Sequence, residues 1–180
     1  MYFHKTKPDV KIQKLLKQNC SFLKNIGLHP GMYVVEVAPN NEDLMWPVAY
    51  CGAHYQLFEG CESLLPIFNS MINLVNINAH GGSGKVHGGH FGYTDNSISN
   101  ILKDSSQNIV ILHDALEDNP LSEALRVLRI GGLLVDRNSF ITKKESISHD
   151  QKKQLQKINN PATAKPYTEF TIYKVTSNNI

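Results

Sequence analysis

Four acids stand where short apolar runs end. They are Glu36 in MYVVEV, Glu59 after HYQLF, Asp114 after NIVILH and Asp136 after GLLV. A carboxylate so placed can accept hydrogen bonds from paired hydroxyls, hold a cation, or steady a positive acceptor nitrogen. The plainer reading is that strands often end in polar residues as they meet water. His113 precedes Asp114, and an imidazole that titrates near physiological pH is a natural general base. It could equally cap a strand by bonding backbone. His80, His87 and His90 lie in HGGSGKVHGGH. Three imidazoles can bind zinc or another transition metal, although this spacing matches no familiar zinc signature. The other reading is a flap over the site, with Phe91 and Tyr93 as stacking surfaces. A divalent ion on Asp114, Asp136 and Asn138 is a third arrangement, with Arg137 interrupting the acid–amide pair.

The elements that must carry these residues follow from periodicity. Apolar positions in Val10–Ile26 recur at helical spacing, with Asp9 as N-cap and Gly27 as stop. The strands are MYVVEV, HYQLFE, NIVILHDAL and GLLVDRNSF, each a short apolar run bounded by turn residues. Between them, Asn41–Tyr50, Ser63–Asn76, Asp95–Lys103 and PLSEALRVLRI have helical patterns. The last of these is closed by Gly131-Gly132. Lys143–Ile158 is predicted as a polar helix. EFTIYKVT is predicted as the last strand, paired near Ala162–Lys165. Short strands alternating with helices predict an α/β fold, a mostly parallel sheet covered on both faces in three layers. Ligands of such sheets sit outside the carboxyl ends of the strands near the switch point.

This succession resembles the class I S-adenosylmethionine-dependent methyltransferases over about residues 26–175. GLHPGMYVVEVAPN looks like their first motif, YQLFEGCESLL like strand two, NIVILHDAL like the fourth motif, and LSEALRVLRIGGLLV like the helix, turn and fifth strand. EFTIYKVT resembles the final antiparallel strand. The resemblance implies a Rossmann-like fold with an antiparallel last strand and S-adenosylmethionine as cofactor. It places Glu36 near the methionine amino group, Ala38 to Asn41 (with Asn40) in the cofactor loop, and Glu59 on the ribose. Gly60 would flank the adenine and Tyr93 contact its edge. His113 and Asp114 would face the acceptor. The family's loop offers glycines so that backbone can approach the cofactor. Here it reads Ala38-Pro39-Asn40-Asn41-Glu42, and Pro39 has no amide to donate.

A chain of 180 residues with 41% hydrophobic and 19% charged residues fits one soluble domain, with 1–26 as an N-terminal helical segment and 27–176 as the core. No apolar run reaches the roughly 20 residues that span a bilayer. The N-terminus lacks the apolar core and cleavage site of a secretory signal. Cys20, Cys51 and Cys61 read as free thiols of a reducing compartment, which implies a cytoplasmic protein. A net charge of +2 implies no nucleic acid by itself. Lys5, Lys7, Lys11, Lys14, Lys17 and Lys24 form either a solvated helix face or an anion-binding patch. The function expected is methyl transfer to a small-molecule acceptor, with a second subunit or protein partner completing the pocket. The alternative is a catalytically inactive methyltransferase-like interaction module.

Overall fold

Runs of β-branched and aromatic side chains form the strands, and alternation decides which face each residue covers. In the computed structural model, residues 19–39, 44, 47–48, 51–58, 91–94, 102–113, 120–137, 141, 148–162 and 167–177 are described. A helix over residues 19–25 (α1) leads to β1 (Tyr33–Val37). Strands β2 (His54–Phe58), β3 (Phe91–Thr94) and β4 (Gln107–Leu112) follow. Helix α2 (Pro120–Val127) runs into β5 (Leu128–Asp136). A short helix α3 (His149–Lys153), β6 (Leu155–Ile158), a 3-10 turn (Tyr167–Glu169) and β7 (Thr171–Val175) complete the described elements.

The order across the sheet is β3-β2-β1-β4-β5-β7-β6. Strands β1 to β5 pair in parallel. Strand β7 lies antiparallel between β5 and β6. Alternation splits the core in two. Val34, Leu57, Ile109, Ile111 and Ile172 pack with Phe22 and Leu23 of α1 on one face. Val35, Phe58, Val110, Leu112 and Leu134 pack with Leu121 and Leu125 of α2 on the other. This is the three-layer, mostly parallel arrangement the sequence predicts.

Gly27 ends α1. It has φ +96, and its amide donates to Lys24 O at 2.9 Å while Leu28 N donates to Leu23 O at 2.9 Å. That is a Schellman closure, with Leu23 and Leu28 sharing the same core cluster. The part of the expected helix before residue 19 lies outside the described residues, as do Asp9, Ser63–Asn76 and the histidine-glycine segment before Phe91.

Three boundaries differ from the sequence reading. The helix stops at Val127, and Leu128 already pairs with Gln107, so Leu128–Ile130 are strand and not helix. The next pair is Ile109 with Leu133, so Arg129 to Gly132 pass opposite Asn108 alone in a wide bulge. Residues 155–158 are strand β6 and not the end of a polar helix. They, not Ala162–Lys165, are the outer partner of β7. A pairing strand overrides the helical propensity of Leu, Gln and Lys there.

Gly132 makes the bulge possible. A Cβ there would lie 2.8 Å from Arg129 O and 3.1 Å from Asn108 O, both backbone atoms. Gly131 has φ +83, and a Cβ there would meet only the Lys174 side chain, at an ordinary 3.9 Å. In urea unfolding, Gly132→Ala is expected to cost about 2–3 kcal/mol through overpacking, against about 1 kcal/mol for Gly131→Ala through its left-handed backbone. Equal costs would mean that the bulge does not constrain this site.

Candidate functional site

The sheet changes direction between β1 and β4, because the chain builds outward to β3 on one side and to β5 on the other. The carboxyl ends of these two strands form the crevice where ligands of such sheets bind. Both neighbouring strands bond the chain where β1 ends. His113 N donates to Val37 O at 3.3 Å, and Ala38 N donates to Phe58 O at 2.9 Å. Between these clamps Ala38 takes φ +49, the left-handed region. A residue with a Cβ pays roughly 1–2 kcal/mol there, so the surrounding bonds must hold it. The loop lacks the glycine, yet its first residue adopts the bend that glycine would take.

A line of side chains crosses one sheet face, one from each neighbouring strand or its end. Tyr55 on β2 donates its hydroxyl to Glu36 Oε2 in a short contact. Glu36 on β1 is 1% exposed. Its Oε1 makes a short contact with His113 Nε2 just beyond β4. His113 Nδ1 meets Arg137 Nη1 at 3.0 Å, just beyond β5. The Arg137 guanidinium sits 5.7 Å over the Phe170 ring, next to β7. A guanidinium only donates, so Nδ1 accepts. Nε2 therefore carries the hydrogen and donates it to Glu36. Burial, followed by the neighbouring Glu36 charge and hydrogen bond, pushes the Tyr55 hydroxyl well above the usual tyrosine range.

His113 is thus differently placed from the sequence expectation. A general base needs an open nitrogen, and both ring nitrogens are engaged in a position that is 1% exposed. The ring joins Glu36 to Arg137. Asp136 is on the opposite face, fully buried, and its Oδ2 accepts from Ile141 N at 2.9 Å. Burial and the Asp136 charge raise the Tyr173 hydroxyl above its usual range. Among the described residues no group of three His, Cys, Asp or Glu is arranged to hold a metal ion.

The structure brings together Glu36, Ala38 and His113. Tyr93 is placed by its backbone in β3, two strands from β1. Asn40, Glu59, Gly60, Asp114, Asn138, His80, His87 and His90 lie outside the described residues. Sequence reasoning missed Tyr55 and Arg137. Strand parity was the available signal for both. Tyr55 shares a face with Leu57, the register partner of Glu36, and Arg137 falls on the face opposite Asp136.

No protein-family model matches the sequence, and no curated protein is similar to it. Solved structures are similar to it. One is a protein from Methanococcus maripaludis assigned as an S-adenosyl-L-methionine-dependent methyltransferase, with TM-score 0.56, 13% identity, 94% of this chain covered and 91% of that one. Another is geranyl diphosphate C-methyltransferase from Streptomyces coelicolor A3(2), solved with Mg2+, geranyl diphosphate and S-adenosyl-L-homocysteine. It has TM-score 0.56 and 10% identity, with 91% of this chain and 82% of that one covered. The fold is that of the class I S-adenosylmethionine-dependent methyltransferases. A Galdieria sulphuraria protein assigned as a sarcosine dimethylglycine methyltransferase matches at TM-score 0.49 and 13% identity. That match covers 69% of this chain and 46% of that one, so this chain spans about half the length of such a relative.

Within this methyltransferase fold, Tyr55→Phe removes one donor from a buried acceptor. The expected cost at neutral pH is about 1–3 kcal/mol. The raised Tyr55 hydroxyl adds a pH dependence. Its phenol stays protonated in the folded chain, while the exposed phenol of the unfolded chain ionises near pH 10. The stability it contributes is complete below about pH 10 and declines as pH rises beyond it, by up to about 1.4 kcal/mol per pH unit. Urea midpoints from about pH 9 to about pH 11 should fall more steeply for the wild type than for Tyr55→Phe. Parallel slopes would place Tyr55 outside the network.

Proposed function

We propose that this chain binds S-adenosylmethionine at the carboxyl edge of β1 and β2 and directs its methyl group to a small-molecule acceptor. The observation that carries the reading is the left-handed bend at Ala38, two residues after buried Glu36 and at the reversal point of the sheet. Ala38 adds only a methyl to a turn whose backbone already follows the glycine path. Glu36 would lie near the cofactor's amino group, and Asn40 would belong to the loop around it. Glu59 follows the last residue of β2, where a carboxylate can accept from both ribose hydroxyls. Gly60 and Tyr93 would border the adenine.

When bound, the cofactor supplies an electrophilic methyl on sulfur. The chain's task is then to orient an acceptor in line and keep water out. Asp114, the next residue after His113, would face the acceptor and take its proton or steady its positive charge. His113 is a positioning residue in this scheme. It holds Glu36 through Nε2 while Arg137 fixes its tautomer.

One observation favours the interaction-module reading. Both Glu36 oxygens accept from the chain's own Tyr55 and His113, and Pro39 has no amide for a ligand. Calorimetric titration with S-adenosylmethionine and S-adenosylhomocysteine separates the two. Micromolar binding, weakened about tenfold or more by Glu59→Ala, is the expected result. A folded protein that binds neither ligand would refute cofactor use and leave the module.

A further inference from the structure

Cys20 lies half-buried in α1, and Cys51 is buried in the turn that enters β2. The two residues converge on one acceptor. Cys20 Sγ is 4.0 Å from Pro47 O, and Cys51 N donates to the same oxygen at 3.0 Å. The two side chains lie close enough for each thiol to act on the ionisation of the other, although 30 residues of chain separate them. Both also pack with the core cluster of the α1 face. We propose that Cys20 and Cys51 are a reversible dithiol–disulfide pair, oxidised by hydroperoxides, that fastens the N-terminal helix to the turn entering β2.

A pair of cysteines serving only as small apolar filler needs neither a shared backbone acceptor nor a cation. Here Lys24 stands one helical turn beyond Cys20, and its charge favours a thiolate at both sulfurs. The hydrogen bond from Cys20, followed by Lys24, lowers the Cys51 thiol to about 7 against the opposing effect of burial. The same hydrogen bond, with burial, pushes the Cys20 thiol up. One sulfur is therefore the nucleophile, and its neighbour is the thiol that resolves it.

The chemistry balances. The Cys51 thiolate attacks one oxygen of hydrogen peroxide, the O–O bond breaks, and the departing hydroxide takes a proton and leaves as water. The Cys51 sulfenic acid that remains is attacked by Cys20 sulfur. The S–S bond forms, the S–O bond breaks, and the hydroxyl leaves as a second water with the Cys20 proton. Two thiols and one peroxide give one disulfide and two waters. The segment from β1 to β2 is then tied to α1 at the end opposite Ala38, and a dithiol reductant releases it.

The test uses the full native chain, treated with hydrogen peroxide, alkylated and mapped by mass spectrometry. The expected result is a Cys20–Cys51 linked peptide in most molecules, lost after dithiothreitol, and unchanged in Cys61→Ser. Wild type alone decides the pairing, so the result does not depend on how Cys20→Ser or Cys51→Ser folds. Links through Cys61, or sulfinic acid on Cys51 without a link, would overturn the proposal. So would an unreacted pair in folded protein whose unfolded chain does react.

Discussion

A carboxylate buried to 1% exposure within a sheet face must find its hydrogen bonds inside the protein, and the lateral arrangement of strands here depends on how Glu36 does so. An ionised group without partners costs several kcal/mol in such a setting. Neighbours on the same strand cannot help, since same-face residues two apart stand about 7 Å from each other. Donors must come from adjacent strands. Tyr55 arrives from β2 and His113 from the end of β4. Arg137, from the end of β5, supplies the balancing charge through the imidazole. A slip of one residue in any of these pairings would turn its polar side chain to the other face and strand Glu36. The network thus opposes register errors at the reversal point, where the apolar residues Val, Ile and Leu offer little to distinguish one register from the next.

The same interactions hold the backbone bend. Left-handed geometry at a residue with a side chain persists only where the surroundings over-determine it. At Ala38 they do, because the chain is gripped on both sides, at the last carbonyl of β1 by the His113 amide and at Ala38 N by Phe58 O. His113 therefore contributes twice, through its amide to Val37 and through its ring to Glu36. A glycine at 38 would reach this bend without strain. The alanine reaches it because the ladders on either side are closed.

Much of this architecture could be read from the residues. The apolar runs ending in Glu36, near His113 and in Asp136 are the strands β1, β4 and β5, and Gly27 ends α1 as its position suggests. What could not be read depends on partners distant in sequence. LQKI has good helix formers and no apolar alternation, and only pairing with β7 makes it a strand. Leu128 looks like the end of an amphipathic helix until Gln107 pairs with it across the bulge. Tyr55 and Arg137 look like ordinary strand and loop residues. Their roles follow only when β2, β1, β4 and β5 lie side by side, because each reaches the carboxylate network from a different strand.

The absence of glycines in the loop bears less on ligand binding than their number suggests. Glycine serves such a loop in two ways, by permitting positive φ and by leaving room for a ligand against backbone. Ala38 already supplies the first. For the second, the encumbrance at that position is one methyl group. Glu36 is also not exhausted by its internal partners. A carboxylate has about four acceptor sites, and Tyr55 and His113 occupy one on each oxygen. The charge balance points the same way. With His113 neutral, Glu36 and Arg137 cancel, so a positive group arriving at the edge would meet a carboxylate whose countercharge lies on the far side of an imidazole. Pro39 is the more serious departure, since its missing amide cannot be restored by any bend of the chain. Whether the edge binds a cofactor therefore turns on the residues after Pro39 and on Glu59, and not on the glycine missing at position 38.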